Sequence, residues 1–220
     1  MLPFSNILLL PISNITGKQM KNKEVTKQSL LNAVEELITE SGFEAVRINA
    51  VATRAGVSKM LIYRYFESLD GLLTAYIRQY DFWINYTPEI SGKEELSVFI
   101  KSMLRQQAEL TRKNDILRRL YRWELSSDNK WIQELREERE KKGKWIVDTV
   151  AQLTGQPREE IAVTATLITA SITYLALLEE NCRFYNGIPL QEELGWTQLI
   201  NGLDAFVDLW LTNHNLNQQR

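Results

Sequence analysis

A chain of 220 residues, 44% apolar and 25% charged, is long enough to bury a core in one large domain or two small ones. Its single cysteine, Cys182, and single histidine, His214, exclude an intrachain disulfide and a His/Cys metal cluster, and they fit a reducing cytoplasm. The formal net charge of −2 carries no global signal for nucleic acid, although residues 18–80, with 9 Lys/Arg and 7 Asp/Glu, are the basic part.

In chain order, residues 1–17 contain no charge and one short apolar run, Ile7 to Leu10. That run is too short to span a bilayer and lacks the basic flank of a signal peptide, so residues 1–20 are expected to be a leader outside the fold, with Met20 as an alternative start. Lys18, Lys21, Lys23 and Lys27 form a basic arm before a first helix predicted from about Thr26 to Ser41. Leu30, Val34, Leu37 and Ile38 share one face of that helix, and Gly42 stops it. AVATRAGVSKMLIYRYF, Ala50 to Phe66, then reads as a short helix, a sharp turn and a second short helix. Gly56 stands where the helix end needs a left-handed residue, and Ser58 is placed to cap the next helix. Ile62 and Phe66, four apart, face inward and leave Lys59, Met60, Tyr63 and Arg64 outward. Long donors on a slender helix suit the DNA major groove.

The span Thr26 to Ile84 resembles the N-terminal DNA-binding domain of the TetR family of bacterial transcription repressors. The resemblance rests on SGF (Ser41 to Phe43), VAxxAGVS (Val51 to Ser58), IYRYF (Ile62 to Phe66) and a Ser-led fourth helix with Leu72 and Leu73, in family order. It implies an all-α fold of about nine helices, with a three-helix helix-turn-helix domain over 21–80. A long fourth helix would join this to a ligand-sensing and dimerisation bundle over 81–220. It also implies DNA contacts by Arg47, Ser58, Lys59, Met60, Leu61, Tyr63, Arg64 and Tyr65. Met60 stands where the family usually has glycine and Leu61 where it often has Thr or Ala; both suit thymine methyls. Leu69 replaces the lysine common at the start of the fourth helix. Arg47 replaces a capping Thr; it cannot cap but can reach a phosphate.

The fourth helix is predicted to run to about Tyr86, capped by Ser68 and unbroken by Gly or Pro from Leu72 to Thr87, as a rigid connector. Pro88 to Gly92 breaks the chain, and Ser91 with Glu94 forms a capping box for helix five, which runs to about Arg112. Helix six is expected over about Asp115 to Ser126, and helix seven after Asp128 to about Leu153. The charges between Arg136 and Lys144 read as a solvated face with i,i+4 pairs. Helix eight, about Glu159 to Arg183, is apolar almost all round, and helix nine repeats the pattern before a polar tail from Thr212. Such helices must be buried on two sides, by their own domain and by a second copy of the chain. Ile168, Ile172, Leu175, Leu199, Leu203, Phe206 and Trp210 are the expected dimer-interface residues. No strand pattern is visible.

Trp83, Phe99, Met103, Gln107, Trp123, Trp145 and Tyr174 lie on helices that a TetR-like bundle would bring together. They are the expected lining of a cavity for an apolar or aromatic small molecule, with Gln106 or Thr169 as further polar contacts. HExxH, a Glu-x-x-His pair, GxSxG and a phosphate loop are all missing from the sequence, and Glu124 and Glu180 are isolated carboxylates, so no enzyme is expected. No cofactor or metal is implied. The expected function is a cytoplasmic repressor, bound as a homodimer to an inverted-repeat operator in double-stranded DNA and released by a small-molecule effector, with no membrane involvement. The alternative is control by a protein partner in place of the small molecule.

Overall fold

The computed structural model describes residues 13–87, 90 and 92–216. Among them ten α-helices follow in order: α1 Ser13–Ser41, α2 Ile48–Arg54, α3 Met60–Phe66, α4 Leu69–Tyr80, α5 Phe82–Asn85, α6 Leu96–Lys113, α7 Asp115–Leu125, α8 Lys130–Thr154, α9 Arg158–Leu178 and α10 Glu193–Leu216. The all-α class is as expected, with a small addition. Residues Phe184–Tyr185 (β1) and Ile188–Pro189 (β2) pair antiparallel around Asn186 and Gly187, both at positive φ (51° and 82°). Asn-Gly is the two-residue turn that suits such a ribbon, but strands of two residues are too short to show an alternating period. The chain divides into two compact units, one ending at Tyr76 and one starting at Ile77.

In the first unit, α1 buries Leu30, Ala33, Val34, Leu37 and Ile38; α2 buries Val51 and Ala52; α3 buries Ile62 and Phe66. Helix α1 begins earlier than Thr26, taking in residues expected to belong to the leader, whereas residues 1–12 lie outside the described residues. Arg54 ties α2 to α1 through Glu40 at 2.6 Å and Glu36 at 3.2 Å. The turns follow their residues. Gly56 takes φ 66° between α2 and α3, the Ser58 Oγ accepts from the Met60 N–H at 3.3 Å, and the Ser68 Oγ accepts from the Gly71 N–H at 2.9 Å to cap α4. Glu67 closes α3 in the left-handed region at φ 63° without being glycine.

In the second unit, α6 packs on α9 and α10, and α8 packs on α9 and α5, around a core that includes Phe82, Leu96, Phe99, Met103, Ile146, Val150, Ile172 and Trp196. The expected unbroken fourth helix is corrected: α4 stops at Tyr80 because Asp81 turns extended (ψ 125°) and caps α5, accepting from the Ile84 N–H at 3.0 Å. A short carboxylate that can bond the backbone ahead of it ends a helix as surely as glycine does. Helix α9 likewise stops at Leu178, short of Arg183, and passes into a 3-10 turn, Glu179–Asn181. Helix α10 continues past Thr212 to Leu216. Its Gly195 packs so closely on β2 that a Cβ would lie 2.0 Å from the Pro189 carbonyl oxygen. The capping box at Ser91 falls outside the described residues.

The left-handed residues generate a paired expectation for the first unit. Gly56→Ala should destabilise it by about 1–2 kcal/mol, and Glu67→Gly should stabilise it by up to about 1 kcal/mol, since only a Cβ is strained there. Urea unfolding followed by circular dichroism checks both, and loss of stability in Glu67→Gly would mean that the Glu67 side chain outweighs its backbone strain.

Candidate functional site

Two places in the fold gather the residues expected to act. The first is the outer face of α3. Met60 is 64% exposed, Tyr63, Lys59 and Arg64 are exposed, and Ile62 on the opposite face is fully buried. Leu61 and Tyr65 are half-buried at the edge of that face, with the Arg64 guanidinium 5.8 Å from the centre of the Tyr65 ring. Ser58 is exposed at the helix start. Arg47 precedes α2, exposed and extended, and makes no side-chain cap. The face therefore offers two cations, an aromatic hydroxyl and a thioether on a helix held from behind by apolar packing alone.

The second place is a cavity of about 730 Å³ inside the second unit, walled by α5, α6, α7, α8 and α9. Trp83, Met103, Gln107 and Tyr174 line it, together with Thr169. Phe99 is buried in the core against Tyr86, with ring centres 6.3 Å apart, and is not on the wall. Trp123 is half-buried and Trp145 is exposed, and neither lines the cavity. Gln106 is exposed and bonds to Ser102. The rest of the wall comes from Phe82, Ile146, Val147, Ala162, Ala165 and Leu177, with charged groups at one end.

Those charged groups are what sequence reading missed. The Arg139 guanidinium donates to Asp81 Oδ2 at 2.9 Å and to both Glu124 oxygens at 2.7 and 2.9 Å, and the Tyr121 hydroxyl donates to Asp81 Oδ2 at 3.0 Å. Asp81 is fully buried and Glu124 is buried, so Glu124 is no isolated carboxylate. The stretch from Arg136 to Lys144 is not simply a solvated face either. Arg78 chelates Glu138, and Arg136 reaches the Glu124 carbonyl at 3.0 Å; only Glu140–Lys144 (3.4 Å) is an i,i+4 pair. The signal available in the sequence was faint: Tyr121 and Glu124 lie three apart on α7, Arg136 and Arg139 three apart on α8, so each pair shares a helix face.

The outward surfaces of α9 and α10 differ from those expected. Ile172 is 2% exposed and belongs to the unit's own core, so it cannot meet a second chain. Ile168, Leu175, Leu199, Leu203 and Trp210 are half-buried against that same core, and only Phe206 of the expected set stands exposed. The exposed apolar stripe is instead Val163, Leu167 and Tyr174 on α9, with Phe206 and Leu209 on α10. Cys182 is half-buried and donates its thiol to the Phe184 carbonyl at 3.1 Å.

The buried ion network generates two expectations. Arg139→Leu leaves the buried Asp81 without its cation and Glu124 with the more distant Arg136, and should cost about 3–5 kcal/mol in urea unfolding. Burial, and next the Asp81 carboxylate, push the Tyr121 hydroxyl above the ordinary phenol value. The unfolded tyrosine ionises near about pH 10, so the stability contributed by the neutral folded form is complete below that pH and declines above it. Tyr121→Phe should flatten this alkaline decline in melting temperature; an unchanged slope would place the phenol in solvent.

Comparison with known proteins bears on the first unit. Residues 30–76 match the family described as bacterial regulatory proteins, tetR family. The HTH-type transcriptional regulator RutR of Escherichia coli (strain K12) is 30% identical over 113 residues, which are 50% of this chain and 52% of that protein. The Transposon Tn10 TetC protein of Escherichia coli is 36% identical over 61 residues, 28% of this chain and 31% of that one. The chain thus spans about half the length, or less, of these curated relatives. A solved structure of a candidate fatty acid metabolism regulator from Clostridium perfringens is alike in fold, with a TM-score of 0.55 at 18% identity over 81% of this chain and 96% of that one. Residues 30–76 thus form a helix-turn-helix that matches the tetR family of bacterial regulatory proteins.

Proposed function

We propose that the chain is a DNA-binding transcriptional regulator acting as a repressor, released from its operator by a small apolar or aromatic effector in the cavity of the second unit. The outer face of α3 carries this reading: within a tetR-family match, four long or aromatic side chains stand outward while the inward face is wholly apolar. Lys59 and Arg64 suit phosphates and base edges, Tyr63 adds a hydroxyl, and Met60 with the edge of Leu61 suits thymine methyls. Arg47 and Ser58 are exposed and suit backbone phosphates. The setting is the cytoplasm, where the DNA is.

The chain would act as a homodimer on an inverted-repeat operator, because the apolar stripe of Val163, Leu167, Phe206 and Leu209 is exposed in a single copy. The half-sites would then lie about one helical turn, roughly 34 Å, or a multiple apart. The cavity supports a small molecule over a protein partner as the signal, since residues from five helices converge on one recess of about 730 Å³ with a largely apolar wall.

Lys59→Ala and Tyr63→Ala should each weaken binding to an operator selected from genomic DNA by about tenfold, without change in the helical circular dichroism. Wild-type affinity in both variants would remove α3 from the role. Arg47→Ala should weaken binding to all sequences alike and shallow the salt dependence by about one ion. Leu167→Glu combined with Leu209→Glu should give monomers in sedimentation and loss of operator binding; a parent chain that sediments as a monomer at micromolar concentration overturns the dimer.

A further inference from the structure

We infer that the effector taken by the cavity is an uncharged molecule with an apolar body and one N–H or O–H donor, which is received by the Oε1 of Gln107. The inference rests on the reading of the cavity as the effector site, and it adds the chemistry that selects the occupant.

Gln107 lies on α6, is 1% exposed and lines the cavity. Its amide is oriented by its neighbours. The Nε2 donates to the Thr169 carbonyl at 3.0 Å and to Thr173 Oγ1 at 3.0 Å, which uses both of its hydrogens. The Thr173 hydroxyl spends its own hydrogen on the Thr169 carbonyl at 3.0 Å, so it can only accept from Gln107. A carbonyl cannot donate, so turning the amide over would set two oxygens against each other. The Oε1 is therefore held in place, closed to water and without a hydrogen-bond partner, so a donor entering from the cavity reaches it by parting the side chains around it. A buried acceptor left open costs about 1–3 kcal/mol, which a donor seated against it recovers. The wall on either side is apolar or aromatic, from Trp83, Met103, Ile146 and Ala165.

The charged part of the wall argues against an ion. Arg139 is taken by Asp81 and Glu124, and Arg136 lies 3.5 Å from Glu124. Glu140 pairs with Lys144 at 3.4 Å and Arg158 with Asp148 at 2.5 Å. Every charged side chain on the wall already has its countercharge, so a carboxylate or an ammonium entering the cavity would lose its water without gaining a partner. A neutral donor loses little and completes Gln107.

Three probes of one shape separate these contributions: 2-naphthol, which is neutral with a donor; 2-methoxynaphthalene, neutral without one; and 2-naphthoate, an anion. Titration calorimetry with the full chain should give 2-naphthol at least about tenfold tighter than its methyl ether, with 2-naphthoate weakest. The Gln107 side-chain amide resonances in a 15N–1H spectrum should move with 2-naphthol and hold still with the ether. In Gln107→Met, of similar length without the amide, the two neutral probes should bind alike; the spectrum of the parent chain carries the test if that variant does not fold. Equal affinity of naphthol and ether in the parent, both weakened by the cavity-filling Ala165→Trp, would overturn the donor inference and leave the effector site standing. Tightest binding by 2-naphthoate would overturn it as well. No binding by any probe would overturn the effector site and the inference together.

Discussion

A guanidinium shared between two buried carboxylates is the constraint on which the second unit depends. Asp81 has no exposure and Glu124 is buried, and Arg139 supplies a countercharge to both. The two Asp81 oxygens have separate tasks: Oδ1 caps α5 through the Ile84 N–H, while Oδ2 takes Arg139 and the Tyr121 hydroxyl. One carboxylate thereby ends α4, starts α5 and joins α5 to α7 and α8. Its position follows from saturation, since each lone pair that finds a donor inside the protein removes one reason for the chain to open to water.

The cavity owes its character to the same saturation. Its charged end is closed on itself, its sides are largely apolar, and a buried polar atom left over sits on a glutamine whose other bonds are made. Charge supplies rigidity there and selects by exclusion, while recognition falls to hydrogen bonding and shape. An apolar body seated on that wall would contribute about 25 cal/mol for each Å² it removes from water, so size and fit would set most of the affinity and the donor would set the choice.

Helix α9 shows how an apolar pattern can leave the inward side of a helix unmarked. Its apolar and small residues run all round, so no single inward face stands out in the sequence, and the expected interface set fell largely on the side that packs into the core. What separates Ile172 from Leu167 is contact with α6 and α8 far away in the chain, which no local periodicity records. The stretch from Arg136 to Lys144 misled for a similar reason. Spacing of four suggested pairs along one helix, yet the partners of Arg139 lie on α7 and at the start of α5, 15 and 58 residues earlier. Helix membership was likewise no guide to the cavity, because Phe99, Trp123 and Trp145 share their helices with lining residues but do not line it.

The sequence by itself determined the helical class, the helix-turn-helix, its caps and turns, and the outward set on α3, because each depends on neighbours no more than four residues away: Gly56 for a left-handed turn, Ser58 and Ser68 for caps, Ile62 and Phe66 for the inward face. The tertiary structure alone decided the break at Asp81, the ion network, the orphaned oxygen of Gln107 and which side of α9 is left bare. Each of these is settled by groups brought together from distant helices, and burial there turns ordinary polar side chains into ones that must be paired.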